Sequence, residues 1–229
     1  MKILVVAATQ RELEPGLKFY QKGEAGTHSV SFHCSGVGLT AAAIAITRLA
    51  LQHSPDLIIQ AGIAGCFQEQ LSIGDVVFIQ SDRQADLGVW ENDQWKNVHD
   101  LSLINSNEFP YTNEQLINPY LPAFDFMQLP QVMAVSVNQI TTSQHMINYW
   151  TNQRPAPAIE SMEGAALHES CLRLNVPFLQ LRAVSNYIGE RNKAHWNIPL
   201  AIDRLNQTLI RLLQQLPHQS LSLPTPQQP

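Results

Sequence analysis

Short runs of consecutive apolar, largely β-branched residues recur along the chain, at Lys2 to Ala8, Val30 to Cys34, Asp56 to Ala61, Asp75 to Gln80, Val132 to Val137 and Pro177 to Val184. Runs of this kind predict strands covered on both faces rather than strands with one wet face. Helical spacing fills several gaps between them: Thr40 to Gln52 is Ala-rich, Met162 to Leu174 carries apolar residues on one side, and Asn197 to Leu216 places Ile198, Ile202, Leu205, Leu209, Leu212 and Leu213 on one face. Strand and helix alternate, so the expected fold class is α/β, in one domain over residues 1–216. The stretch 84–130, with Trp90, Trp95 and prolines from Pro110 to Pro130, shows little periodicity and is expected to be an elaborated loop region, a lid or an interface. The tail 217–229 is rich in proline and glutamine and is expected to be disordered.

Composition narrows the function classes. Charged residues are 14% of the chain and the net charge is -5, so there is no basic field for nucleic acid or an anionic membrane. The same low charge density suggests surface buried in a homo-oligomer, and the expected partner is a small molecule. Cys34, Cys66 and Cys171 stand far apart with no C-x-x-C pair, which reads as reduced thiols of a cytoplasmic protein without a metal site. The apolar run Ile3 to Ala8 meets Arg11, Glu12 and Glu14 at once, too short for a signal or membrane segment.

Polar and small residues cluster where strands end, the usual place for a site in such sheets. Ser35-Gly-Val-Gly-Leu-Thr-Ala41 follows a strand and opens a helix; it fits a dinucleotide loop, a plain tight turn or a backbone nest for an anionic or ribosyl group. Asp56 at the start of the next strand is misplaced for the ribose acid of a dinucleotide site. Ala61-Gly-Ile-Ala-Gly65 and Ser72-Ile-Gly-Asp75 read either as turns or as small residues over which a flat ligand lies close to the backbone. Glu160-Ser-Met-Glu-Gly-Ala-Ala166 delivers carboxylates and Met162 where a helix of small residues begins. A carboxylate at Glu163 suits the two hydroxyls of a ribose. Arg182-Ala-Val-Ser-Asn186 closes the list of strand-end motifs.

Taken together and in this order, MKILVVAATQRELEP, SGVGLTAAA, AGIAG with SIGDVV, ESMEGAAL and RAVSN resemble the nucleoside phosphorylase and nucleosidase family over most of residues 1–215. The resemblance implies a mixed-sheet α/β/α sandwich, frequently oligomeric, that cleaves the glycosidic bond of a purine nucleoside without a cofactor. It places the water-activating glutamate at Glu12, the ribose-binding pair at Met162 and Glu163, and the purine-facing residue at Asn186. Ala61, Gly62 and Ser185 are the expected neighbours of the substrate.

Two departures narrow this further. Ala7 to Gln10 lacks the glycine of a phosphate-binding loop, and Glu12 beside it would repel phosphate, which favours hydrolysis over phosphorolysis. Asn186 stands where the adenine-cleaving members carry aspartate. An amide directs N–H donors at N7 and O6 of a 6-oxopurine, whereas the 6-amino group of adenine would meet those donors head-on. Asn186 to Trp196 is moreover similar to members that release hypoxanthine from a nucleoside ending in a benzoate, for which Arg191 or Lys193 is the expected cation. An adenine nucleosidase, a phosphorylase and a catalytically silent nucleoside-binding module remain the alternatives, with a dehydrogenase more distant.

Overall fold

A computed structural model describes residues 1–21, 28–67, 71–189 and 192–217. In chain order the elements are β1 (Lys2–Ala7), α1 (Gln10–Gln21), β2 (Ser29–Cys34), α2 (Leu39–His53), β3 (Leu57–Cys66), β4 (Val76–Asp82), β5 (Gly88–Glu91), β6 (Gln94–Asn97), β7 (Leu116–Ile117), β8 (Gln131–Ser136), α3 (Gln144–Thr151), β9 (Ile159–Ser161), α4 (Gly164–Leu174), β10 (Phe178–Tyr187) and α5 (Ile198–Gln215). The sheet is mixed. Parallel pairs join β2 to β1, β1 to β3, β3 to β10, β4 to β8 and β8 to β9, while β4 runs antiparallel to β10 and β9 antiparallel to β3.

The long strand β3 organises this topology. One edge pairs with β10 from Ile58 to Cys66; the other pairs with β1 over Leu57 to Gln60 and then, beyond β1, with β9 at Gly65 and Cys66. Strands β3, β10, β4, β8 and β9 thereby close into a ring, sharing a buried cluster of Ala64, Cys66, Val77, Ile79, Ala134, Ile159 and Val184. The main core lies between sheet and helices. Ile3 to Ala7 are wholly buried, as the unbroken apolar run requires, against Ile46 and Leu49 of α2, Ala165 to Leu167 of α4 and Leu205, Leu209 and Leu212 of α5. Helix α2 packs on α4 and α1 on α5, two helix layers with the sheet between them.

Several boundaries differ from the sequence reading. The segment Ala61-Gly-Ile-Ala-Gly65 is strand, not turn, because β3 continues to Cys66. Its glycines were misleading since Gly normally weakens a strand; here they make room for neighbouring side chains to cross it. A Cβ on Gly62 would run into the Arg182 guanidinium, and one on Gly65 would meet Ile188 at 2.8 Å. Helix α4 starts at Gly164 rather than Met162, so Met162 and Glu163 belong to the β9–α4 link. Helices α1 and α3 escaped the periodicity reading; α1 is interrupted by Pro15.

The 84–130 stretch is only partly a loop region. Its first half holds the β5–β6 hairpin, with Trp90 exposed, and its second half is core wall: Leu116, Tyr120, Leu121, Phe124 and Met127 are all buried in the main cluster. The second half is therefore no lid. Residues 218–229, for which disorder was expected, lie outside the described residues.

At the end of β10 the register against β3 slips: Val184 pairs with Ala64 and Asn186 with Gly65, leaving Ser185 as the surplus residue of a bulge. Such a bulge breaks the alternation of faces and re-aims side chains. Both Ser185 and Asn186 consequently face the same cavity.

Candidate active site

The carboxyl ends of β1, β3, β9 and β10 and the links that follow them converge on a cavity of about 330 Å³ lined by Thr9, Glu12, Ile63 to Gly65, Ile140 to Thr142, Glu160 to Glu163 and Ser185 to Gly189. Ala8, Arg11, Val37, Trp196, Ile198 and Ile202 complete its wall. A larger cavity of about 480 Å³ adjoins it through Ile140 to Thr142, under Trp90 and Trp95. The carboxylates of Glu12, Glu160 and Glu163 and the Asn186 amide all belong to residues that line the smaller one.

Glu12 sits in the first turn of α1 and is 6% exposed. Its Oε1 accepts the Ile63 N–H at 3.0 Å, and its Oε2 accepts the Thr9 N–H at 3.0 Å and the Thr9 hydroxyl at 2.7 Å. Three donors hold the carboxylate in one orientation while lone pairs remain for a water. The helix backbone beneath it is adjusted by Asn206 of α5, whose amide accepts the Gly16 N–H at 2.9 Å and donates to the Glu12 carbonyl at 2.9 Å. That pair of bonds ties the first turns of α1 to α5 beside Pro15, which has no N–H to give.

Glu163 caps the start of α4 and is 4% exposed. Its Oε1 accepts the N–H of Gly38 at 3.1 Å. This contact settles the glycine turn at Ser35 to Ala41. Gly36 and Gly38 take φ of 83° and 93°, which suits glycine, and the N–H groups of Gly38 and Leu39 serve Glu163 and the side-chain oxygen of Asn138. The turn is thus a support for the Glu163 carboxylate, and those donors are spent on protein groups rather than held for a phosphate.

Arg182 was only a motif letter in the sequence, yet it ties the two carboxylates together. It is 1% exposed, and donates to Gln60 Oε1 at 2.9 Å, to the Ile63 carbonyl at 3.4 Å and to Glu163 Oε2 at 3.5 Å. The Ile63 peptide therefore bridges the site, its N–H on Glu12 and its carbonyl on Arg182. An arginine inside the apolar run of β10 was the available signal, since a buried guanidinium requires partners.

The other expected residues divide. Met162, Ser185 and Asn186 line the cavity. Ala61 is 1% exposed in the core, and Gly62 leaves the gap through which Arg182 and Glu12 approach, so neither forms the wall; that role passes to Ile63, Ala64 and Gly65. Arg191 lies outside the described residues, and Lys193 is exposed on a single 3-10 turn away from the cavity lining. The Ser185 hydroxyl lies 2.8 Å from Asn186 Oδ1 and 3.1 Å from the Ala64 carbonyl, and Asn186 Nδ2 donates to the Tyr187 carbonyl at 3.1 Å. With its oxygen held by Ser185, the amide keeps one N–H for the cavity.

Beneath the start of α4 lies a buried polar layer. The Ser136 hydroxyl donates to Asp82 Oδ1 at 2.9 Å and accepts the Ala165 N–H at 2.8 Å, and Gln180 donates to Asp82 Oδ2 at 3.2 Å. Burial pushes the Asp82 carboxyl up to about 7, against the hydrogen bonds and the Arg182 charge that pull it down. Burial also pushes His168 down to about 4. The two act oppositely on stability. Asp82 binds a proton in the fold that the unfolded chain has lost, so its contribution falls as pH rises from about 4 to about 7. His168 refuses a proton that the unfolded chain accepts, so its contribution rises between about 4 and the ordinary histidine value of 6.5. Asp82→Asn is expected to uncover the histidine: the unfolding free energy then rises from pH ~4 to ~6.5, with a slope approaching ~1.4 kcal/mol per pH unit. An unchanged profile would refute the assignment.

Among the described residues no group of His, Cys, Asp and Glu is placed to hold a metal ion, and no helix is long and apolar enough to cross a membrane. Comparison with known proteins agrees with the geometry. The model of the phosphorylase superfamily matches residues 5–216. Futalosine hydrolase of Thermus thermophilus is 30% identical over 203 residues, covering 88% of each chain. A 5'-methylthioadenosine/S-adenosylhomocysteine nucleosidase of Tolumonas auensis is 28% identical, covering 88% of this chain and 87% of its own. Among solved structures, the adenine complex of such a nucleosidase from Colwellia psychrerythraea superposes with a TM-score of 0.78 at 20% identity, over 97% of this chain and 98% of its own. Futalosine hydrolase of Helicobacter pylori gives 0.76 at 16% identity, over 94% and 98%.

Proposed function

The chain belongs to the phosphorylase superfamily, and from that premise we propose that it hydrolyses the N-ribosidic bond of futalosine, releasing hypoxanthine and dehypoxanthine futalosine, a step of menaquinone biosynthesis. The observation that carries the substrate is Asn186, a cavity-lining residue whose oxygen lies 2.8 Å from the Ser185 hydroxyl and whose amide, with one N–H on the Tyr187 carbonyl, keeps a second N–H for a ligand. A donor at O6 suits a 6-oxopurine and opposes the 6-amino group of adenine. Hydrolysis is supported by the N–H groups of Gly38 and Leu39, which are engaged by protein oxygens rather than open to phosphate, and by Glu12 on its three donors, a fixed acceptor for water.

The chemistry follows from these positions. Glu163 receives the ribose hydroxyls and offsets the positive charge that builds on the sugar as the base departs. Arg182 keeps Glu163 in place without entering the cavity. Glu12 orients a water toward the sugar carbon and takes its proton. Asn186 stabilises the electrons left on the base through a hydrogen bond, and an amide does not supply the leaving group's proton, which comes from another source. For the homo-oligomer we propose the face of α2, where Ile44 and Leu51 are 65% and 68% exposed; such a protein works in the cytoplasm.

The second reading is a 5'-methylthioadenosine/S-adenosylhomocysteine nucleosidase, favoured by the Tolumonas auensis relative. Purified protein given futalosine, inosine and methylthioadenosine, with and without phosphate, separates the readings. Hypoxanthine is expected from futalosine at a rate indifferent to phosphate. A ribose 1-phosphate type product would refute hydrolysis, and faster release of adenine from methylthioadenosine would move the second reading ahead.

A further inference from the structure

The cavity has two kinds of lining. Strand ends and the links after them bring the buried carboxylates of Glu12, Glu160 and Glu163. The first turn of α1 and the start of α5 bring Arg11, Ile198 and Ile202, with Val37 from the glycine turn and Trp196 just ahead of α5. Helices α1 and α5 pack on each other, and the Asn206 amide donates to both the Glu12 carbonyl at 2.9 Å and the Ile202 carbonyl at 2.8 Å. Arg11 and the apolar side chains of α5 therefore border the same side of the cavity.

Arg11 is the one cation among the described lining residues. It is exposed, whereas Glu12 beside it is buried, so the two neighbours mark the mouth and the interior. Its side chain makes no ion pair or hydrogen bond among the described residues, while Lys18 farther along the same helix is taken up by Glu14. A cation in the first turn also sits at the positive end of the helix dipole, where an anion is preferred. Arg11 thus does nothing for its own helix. The chain carries a net charge of -5, and three carboxylates line the cavity, so an anionic substrate is repelled unless a cation at the entrance offsets them.

We propose that Arg11 binds the carboxylate at the far end of the substrate's 5′ substituent, whose aromatic ring lies along Val37, Trp196, Ile198 and Ile202. The assignment rests on the reading of the substrate as futalosine and deepens it. With the sugar carbon at Glu12 and the base at Asn186, the substituent is the part left to reach the mouth. A guanidinium suits the task, since its planar fork can hold both carboxylate oxygens at once, and apolar neighbours keep water from one side of the pair. Arg11 takes the role expected of Arg191 or Lys193, moved to the residue just before the water-orienting glutamate.

Values of kcat/KM for futalosine and for its methyl ester, on the wild type, Arg11→Gln and Arg11→Lys, test this, with circular dichroism as the check on folding. The ester keeps the ring and loses the charge, so the acid-to-ester ratio cancels any effect of residue 11 on the adjacent Glu12. The wild type is expected to favour the acid by roughly 5- to 50-fold, the range of a charge-assisted bond partly screened by water. Arg11→Gln is expected to bring the ratio close to one, and Arg11→Lys to keep part of it. Added salt is expected to lower the wild-type ratio and to leave that of the glutamine variant unchanged. Wild-type protein that releases base from neither compound would overturn the futalosine reading itself. If the wild type cleaves both compounds equally well, or the glutamine variant keeps the wild-type ratio, the Arg11 assignment alone fails. Should Arg11→Gln misfold, a wild-type preference undiminished by salt would refute the ion pair, and one that falls with salt and is smaller in Arg11→Lys would uphold it.

Discussion

Glu12→Gln is expected to lower kcat for nucleoside hydrolysis by ~10²- to 10⁴-fold, the range for loss of a positioned general base, with KM changed little. The environment explains the separation. Both carboxylate oxygens of Glu12 accept from fixed donors, Ile63 on one side and Thr9 on the other, so the amide keeps the position and loses the proton acceptor. One amide N–H must then confront a backbone donor, a mismatch worth about 1–3 kcal/mol that should appear as a lower melting temperature. Steady-state kinetics with thermal unfolding measure both. Near-normal turnover in the variant would remove Glu12 from the chemistry and leave it as a latch between β3 and α1.

Selectivity for the base carries the second large effect. A site whose buried groups are built around one hydrogen-bonding edge rejects the mismatched base by ~10⁴-fold or more in kcat/KM, so the 6-amino analogue of futalosine is expected to be a very poor substrate. Asn186→Asp should shift the ratio toward the 6-amino substrate, because a protonated carboxyl offers the donor and acceptor that adenine requires. The absolute rate of that variant should stay low, since the Ser185 hydroxyl and the Tyr187 carbonyl that seat residue 186 are arranged for an amide. Measured kcat/KM for both substrates on both proteins decides the matter. Equal cleavage of the two by the unaltered enzyme would defeat the edge argument and favour the adenine nucleosidase.

The fold was readable in its strands because β-branched runs buried on both faces leave a period-free apolar signature, and β1, β4 and β8 lie close to their expected positions. It was less readable where glycine carries a packing role, as in β3, whose Gly62 and Gly65 looked like punctuation. The site shows the same division. Met162, Ser185 and Asn186 were legible as side chains at strand ends, as was Glu163 before a run of small residues. Arg182, Asn206 and Glu160 were not assigned their places, because their meaning depends on partners remote in the chain. Asn206 touches the Glu12 carbonyl across 194 positions, and Glu160 is paired with Gly65 only when β9 is laid against β3. Ala61 and Gly62 were misassigned by an error of strand length: with β3 continuing to Cys66, the positions that open onto the cavity move toward its carboxyl end.

The bulge at Ser185 has a consequence for how such an enzyme changes its diet. Because the surplus residue absorbs the slip between β10 and β3, residue 186 lines the cavity while its backbone remains in the ladder. An exchange of asparagine for aspartate needs a single nucleotide change and leaves every main-chain bond of the strand in place. On the proposed function, a change of base preference at this position needs no rearrangement of the sheet, which acts as a socket into which alternative readers are fitted.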